Sequence, residues 1–161
     1  MSLRRNSLLL LFVVIVGCGP LESDNPVYTN LSDDDKLKFN KYMLLGKEIY
    51  ENNCASCHQT NGAGLRGIKP PLADADYLRN NQAALPCLLR YGTKDTIQVN
   101  GKYYPPEMPP HELSNLELAE VITYINNSWG NAIEFVSVKK VDSLLQNSPS
   151  EALLLRLLYL N

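Results

Sequence analysis

Histidine and cysteine are scarce in this sequence: two histidines and four cysteines among 161 residues. No basic run is longer than a pair, as at Arg4-Arg5, and the formal charge is −2. A surface that tracks phosphates is therefore not expected, and nucleic acid is excluded as a partner. No apolar run reaches the ~20 residues that a spanning helix needs; residues 8–16 and the closing "EALLLRLLYL" both fall short. Internal repeats and low-complexity blocks are absent, and no alternation of strand and helix patterns suggests a βαβ unit. What is present, 45% hydrophobic and 20% charged, is an ordinary globular composition. The length suits one domain with appendages.

The N-terminus is the first such appendage. "MSLRRNSLLLLFVVIVGCGP" has a basic start, an apolar run, then small residues and Cys18, which is a signal-peptide layout over residues 1–17. "IVGC" before "GP" resembles a bacterial lipobox, and that resemblance implies that Cys18 is lipidated and becomes the mature first residue. A plain secretory signal or a short anchor is the alternative. Lipidation at Cys18 implies a membrane tether without a spanning helix, on the periplasmic side. The mature chain then carries 13 basic and 17 acidic residues, a charge of −4. Residues 18–35 are polar, with two prolines and an acidic cluster, and read as a flexible tether.

The rest reads as helices and loops. Ser32 is a candidate N-cap, and Asp33, Asp34 and Asp35 follow where a helix dipole favours carboxylates. Leu37, Phe39, Tyr42, Met43, Leu45, Gly46, Ile49 and Tyr50 then fall largely on one helical face, predicting a helix that ends near Asn52-Asn53. A second helix is predicted across "NQAALPCLLRY", kinked or restarted at Pro86 and closed by Gly92. "TIQVNGKYY" alternates β-formers around Asn100-Gly101 and predicts a hairpin. "YPPEMPPHE" is a stiff extended loop. Ser114 and Glu117 form a capping box for a helix whose face is Leu118, Ile122, Ile125 and Trp129, with Gly130 as its stop. Two short amphipathic helices separated by Ser148-Pro149 close the chain.

Against this background, Cys54, Cys57 and His58 crowd into "CASCH". A zinc site needs a partner pair of ligands, and only Cys87 and His111 are spare, at no zinc spacing. A thioredoxin-type pair needs a βαβ context that is missing. C-x-x-C-H is the signature of covalent c-type haem attachment. Two thiols on one turn reach the two vinyl groups on one porphyrin edge, and the adjacent imidazole points at the iron. Export agrees with this chemistry independently. Zinc or a plain disulfide remains the alternative.

Haem iron in electron carriers takes a second protein ligand. Met43 lies at helical spacing and reads as core. Met108, held between prolines in "PPEMPPHE", is favoured; His111 is its rival, and an open site is a third reading. Cys87, among apolar residues, reads as a small buried hydrophobe. Tyr103 and Tyr104 would close the pocket or bond a haem propionate, and aromatic packing explains them equally well.

From Phe39 to Gly130 the chain resembles a class I cytochrome c, through "GKEIYENNCASCHQTNGAG", "KPPL" and "YYPPEMPPHELSNLELAEVITYINNSWGN". The resemblance implies an all-α fold wrapped round one covalent haem c, here with a short β-hairpin. It places the haem domain at residues 36–131, followed by a helical extension over residues 132–161. It further implies that Gly46 and Tyr50 pack against Tyr124, and that the Pro70 or Pro71 carbonyl accepts from the axial histidine. The implied function is a non-enzymatic electron carrier, tethered or diffusible. Its partners are redox proteins: a respiratory oxidase, a nitrite reductase or a membrane dehydrogenase. A fixed subunit of such a complex and a haem enzyme or gas sensor are the alternative readings.

Overall fold

The computed structural model describes residues 25–105 and 107–147. The expected signal peptide, the lipidation site Cys18 and the helix after Ser148-Pro149 lie outside the described residues. The first helix, α1, is Pro26–Thr29. It lies within residues 18–35, expected as a flexible tether; of these, residues 18–24 lie outside the described residues. A proline in a polar stretch suggests a break, but at a first helical turn it gives up no hydrogen bond and presets φ. Asn25 Oδ1 accepts from the Val27 amide, and Asn25 Nδ2 donates to Asn127 Oδ1 at 3.3 Å. The Tyr28 ring packs on Phe39 with centroids 5.6 Å apart.

Helix α2 is Asp33–Asn53. Its N-cap is Ser32, whose hydroxyl accepts from the Asp35 amide, and its end falls where expected. Phe39, Gly46 and Tyr50 are buried, whereas Leu37, expected on the same face, is 75% exposed. The apolar stripe therefore starts at Phe39. Met43, expected in the core, is only half-buried. One more turn, α3 (Ala55–His58), follows directly.

Next come α4 (Asp76–Asn80), a 3-10 turn over Gln82–Ala84, and α5 (Leu85–Tyr91). Pro86 sits in the first turn of α5, so the second predicted helix restarts there rather than kinking, and Gly92 caps it with φ 68. Strands β1 (Ile97–Val99) and β2 (Lys102–Tyr104) pair antiparallel, Val99 opposite Lys102. Asn100 and Gly101 both have positive φ, 50 and 74, as a tight primed turn requires.

Helix α6 is Asn115–Asn126, with the Ser114/Glu117 capping box formed. It ends three residues short of the expected face. The Asn127 side chain donates to the Thr123 and Glu134 carbonyls and closes the helix, and Trp129 turns back at φ 55. Gly130 is thus not the stop. α2 and α6 form the main packing pair, with Leu118, Ala119, Val121 and Ile122 fully buried between the layers. Helix α7 (Val138–Gln146), capped by Ser137, lays Val141 and Leu145 against α5 and α6. Phe135 meets Phe39 and Tyr42, so the segments on both sides of the domain share one aromatic cluster. The fold is mostly helical with a two-stranded hairpin. No helix among the described residues is long and apolar enough to cross a membrane.

Candidate functional site

The continuation of α2 into α3 presents the "CASCH" turn to a cavity. The Cys57 and His58 amides both donate to the Cys54 carbonyl, at 3.1 and 2.9 Å, winding the three side chains onto one turn. Tyr50 supports this turn from below: its hydroxyl donates to the Gln59 carbonyl at 2.6 Å. Cys54 is 7% exposed and Cys57 half-buried, and both are free thiols. Burial, with Cys57 beside it, pushes the Cys54 thiol up to about 11.

His58 Nδ1 lies 3.0 Å from the Pro70 carbonyl. A carbonyl only accepts, so the proton sits on Nδ1 and the Nε2 lone pair is left for the cavity. Burial holds the imidazole below its ordinary range, partly opposed by the Pro70 carbonyl, which keeps the ring neutral. Pro70, not Pro71, takes the hydrogen bond; Pro71 forms part of the wall. Gly64 makes this approach possible, since a Cβ there would stand 2.5 Å from the Pro70 oxygen. Sequence reasoning did not single out Gly64; the signal was a second glycine in "NGAG" shortly before "KPPL", where the loop must fold back on itself.

The cavity encloses about 1110 Å³ of empty space, mouth included. Leu78, Leu85, Leu89, Val99, Ile122 and Ile125 make its walls almost wholly apolar. Met108 and His111 reach it from the proline-rich loop. Met108 is pinned by its backbone: Thr93 N donates to the Met108 carbonyl at 2.9 Å, and Met108 N to the Thr93 carbonyl at 3.2 Å. The His111 amide donates to the Leu89 carbonyl, and burial lowers the ring's pKa. Tyr103 is 73% exposed and Tyr104 is buried opposite Ile97; neither lines the cavity. Cys87 is half-buried, away from the cavity. Lys69, which the sequence did not mark out, reaches the rim and donates to the Glu107 carbonyl.

The donor set suits a covalently held haem: two thiols and an imidazole with a free Nε2 on one turn, a methionine from the proline-rich loop lining the same cavity, and apolar walls around them. Among the described residues no three His, Cys, Asp or Glu side chains are arranged to hold a metal ion between them, so the zinc alternative finds no ligand set there.

Comparison with known proteins agrees with this geometry. The family profile described as "Cytochrome c" matches residues 43–129, more than half of the chain. "Cytochrome c-552" of Thermus thermophilus is 38% identical over 92 residues, 54% of this chain and 70% of that protein. A second Thermus thermophilus sequence of that name shows the same identity over 62% of its length. "Alcohol dehydrogenase (quinone), cytochrome c subunit" of Gluconobacter oxydans (strain 621H) is 30% identical over 89 residues. That match takes in 53% of this chain and 18% of the subunit, so the chain spans about a fifth of that relative. On the matched profile and the cavity it encloses, the chain belongs to the cytochrome c family and is an electron-transfer protein.

Proposed function

We propose that this protein is a one-electron carrier with one haem c bound through Cys54 and Cys57, exported and held to the membrane by lipid on Cys18. His58 and Met108 are the axial ligands. The observation that carries this reading is the His58 Nδ1 to Pro70 contact, because it fixes the tautomer and leaves a bare Nε2 on a side chain that lines the cavity. When bound, the haem supplies a reversible Fe(III)/Fe(II) couple.

The chain's own residues set how that couple behaves. The Cys54 and Cys57 thiols would hold the haem covalently through its vinyl groups and so prevent its loss. Met108 is a poor donor to the ferric state, and the leucine and isoleucine walls disfavour net charge; both raise the potential. With Met108 and His58 in place no coordination position is open to oxygen or substrate, so the centre passes electrons without catalysing bond changes. The same walls exclude water, which keeps the charge change from reorganising solvent.

A second reading is favoured by one finding: a relative is a cytochrome c subunit of a quinone-linked alcohol dehydrogenase. In that reading the protein is a fixed subunit of a respiratory oxidase, nitrite reductase or membrane dehydrogenase. Reduced-minus-oxidised spectra after pyridine treatment test the haem; absence of a haem c signal overturns the proposal. Affinity purification from detergent extract separates the readings, since a stoichiometric oxidase or dehydrogenase in the eluate identifies the subunit.

A further inference from the structure

We propose that Lys69 is a positioning residue for both axial ligands, a clasp that joins the segment carrying Pro70 to the segment carrying Met108 across the cavity rim. This inference rests on the His58/Met108 reading above. Lys69 Nζ donates to the Glu107 carbonyl at 2.9 Å, between residues 38 apart in sequence. Lys69 directly precedes Pro70, which receives the His58 Nδ1 proton, and Glu107 directly precedes Met108. One hydrogen bond thus ties the two ligand supports together. Among the described residues no other hydrogen bond joins residues 54–72 to residues 105–113.

The other side of the methionine loop explains why the clasp matters. Thr93 pairs with Met108 through the backbone, and Gly92 is packed so closely that a Cβ would stand 2.2 Å from the Met108 oxygen. These contacts hold the loop from the segment that follows α5 and do not involve the segment carrying Pro70. Glu107 itself has φ 118, a conformation that a non-glycine residue keeps only where its neighbours hold it. Lys69 supplies that hold at the Glu107 carbonyl. Lysine suits the task, since a long apolar stem lets a residue of the cavity lining carry its ammonium out to an exposed carbonyl.

A thioether is a weak ligand, so its residence on iron depends on how well the loop presents it. Without the clasp the loop leaves more often, and an external ligand captures the iron sooner. The holoprotein is tested with Lys69→Met, which removes donor and charge at similar length, and Lys69→Arg, which keeps both. Carbon monoxide displacement in the ferrous state is expected to quicken roughly three- to tenfold in Lys69→Met, the range of one ordinary hydrogen bond, since solvent screens the exposed ammonium. The far-red ferric band of thioether ligation weakens in parallel, the global unfolding midpoint stays near wild type, and Lys69→Arg restores both signals. Hydrogen exchange in Lys69→Gln is a second reading: faster exchange at Met108 with α6 unchanged is expected, and an unaltered Met108 amide contradicts the clasp. Wild-type displacement rate and band in Lys69→Met overturn it, even if the potential falls from loss of a cation. A wild-type protein with no such band and rapid carbon monoxide binding instead overturns the Met108 reading, and the clasp with it.

Discussion

The Cα of Gly46 lies against the carbonyl of Glu120, so that a Cβ at Gly46 would sit 2.2 Å from the oxygen and 2.8 Å from the Tyr124 Cβ. α2 and α6 therefore meet backbone to backbone, and this crossing places Tyr50 beside Tyr124, ring centroids 5.5 Å apart. Gly46→Ala forces the helices apart and is expected to lower stability by about 1–3 kcal/mol. The guanidinium midpoint of the holoprotein measures it; an unchanged midpoint would mean that the helices do not touch there.

Met108 and His111 both line the cavity, and substitution separates them. Met108→Ala opens the iron: the ferrous protein binds carbon monoxide readily and the potential falls. His111→Ala leaves both close to wild type. Potentiometric titration with carbon monoxide spectra decides, and the reverse pattern would give the iron to His111.

The capping box at α6 makes a pH prediction. The Ser114 hydroxyl accepts from the Glu117 amide while the Ser114 amide donates to the Glu117 carboxyl, and the Ser114 hydroxyl and amide together hold that carboxyl below its ordinary 4.5. A depressed carboxyl contributes stability above its unfolded pKa and loses it as pH falls through the folded value. Glu117→Gln is therefore expected to flatten the acid limb of the stability profile below about pH 5. Ser114→Ala should cost about 1 kcal/mol at neutral pH. Urea unfolding at stepped pH measures both; parallel profiles for Glu117→Gln and wild type would refute the linkage.

Trp129 closes the far side of the "CASCH" turn. Its Nε1 donates to the Thr60 carbonyl at 3.0 Å, its ring lies 4.9 Å from Tyr50, and a Cβ on Gly62 would stand 2.6 Å from it. Trp129→Phe loses the hydrogen bond, about 0.5–1.5 kcal/mol. Gly62→Ala, strained at φ 68 as well as crowded, should cost more. Thermal unfolding ranks the two, and equal midpoints would contradict the packing.

Local chemistry was legible in the sequence wherever the spacing itself carries the constraint. Cys54, Cys57 and His58 must share a turn, Asn100-Gly101 must adopt positive φ, and Ser114 must face Glu117, so each was readable from a few adjacent residues. Contacts between distant segments were not. Asn25 bonds Asn127, 102 positions away, and turns the second half of the expected tether into a docked strap. Trp129 continued the α6 period on paper, but the Asn127 side chain ends the helix first. The choice between Pro70 and Pro71 depends on how closely Gly64 lets the loop approach, and neighbouring residues share the same local pattern.

The central claim is a haem stitched to one turn of this chain, and the most direct measurement is the mass of the peptide that contains Cys54, Cys57 and His58, taken from the mature protein after acid–acetone extraction. Covalent attachment predicts that this peptide keeps the mass of one haem through extraction. The same peptide with two unmodified thiols, and all tetrapyrrole in the organic phase, would contradict it.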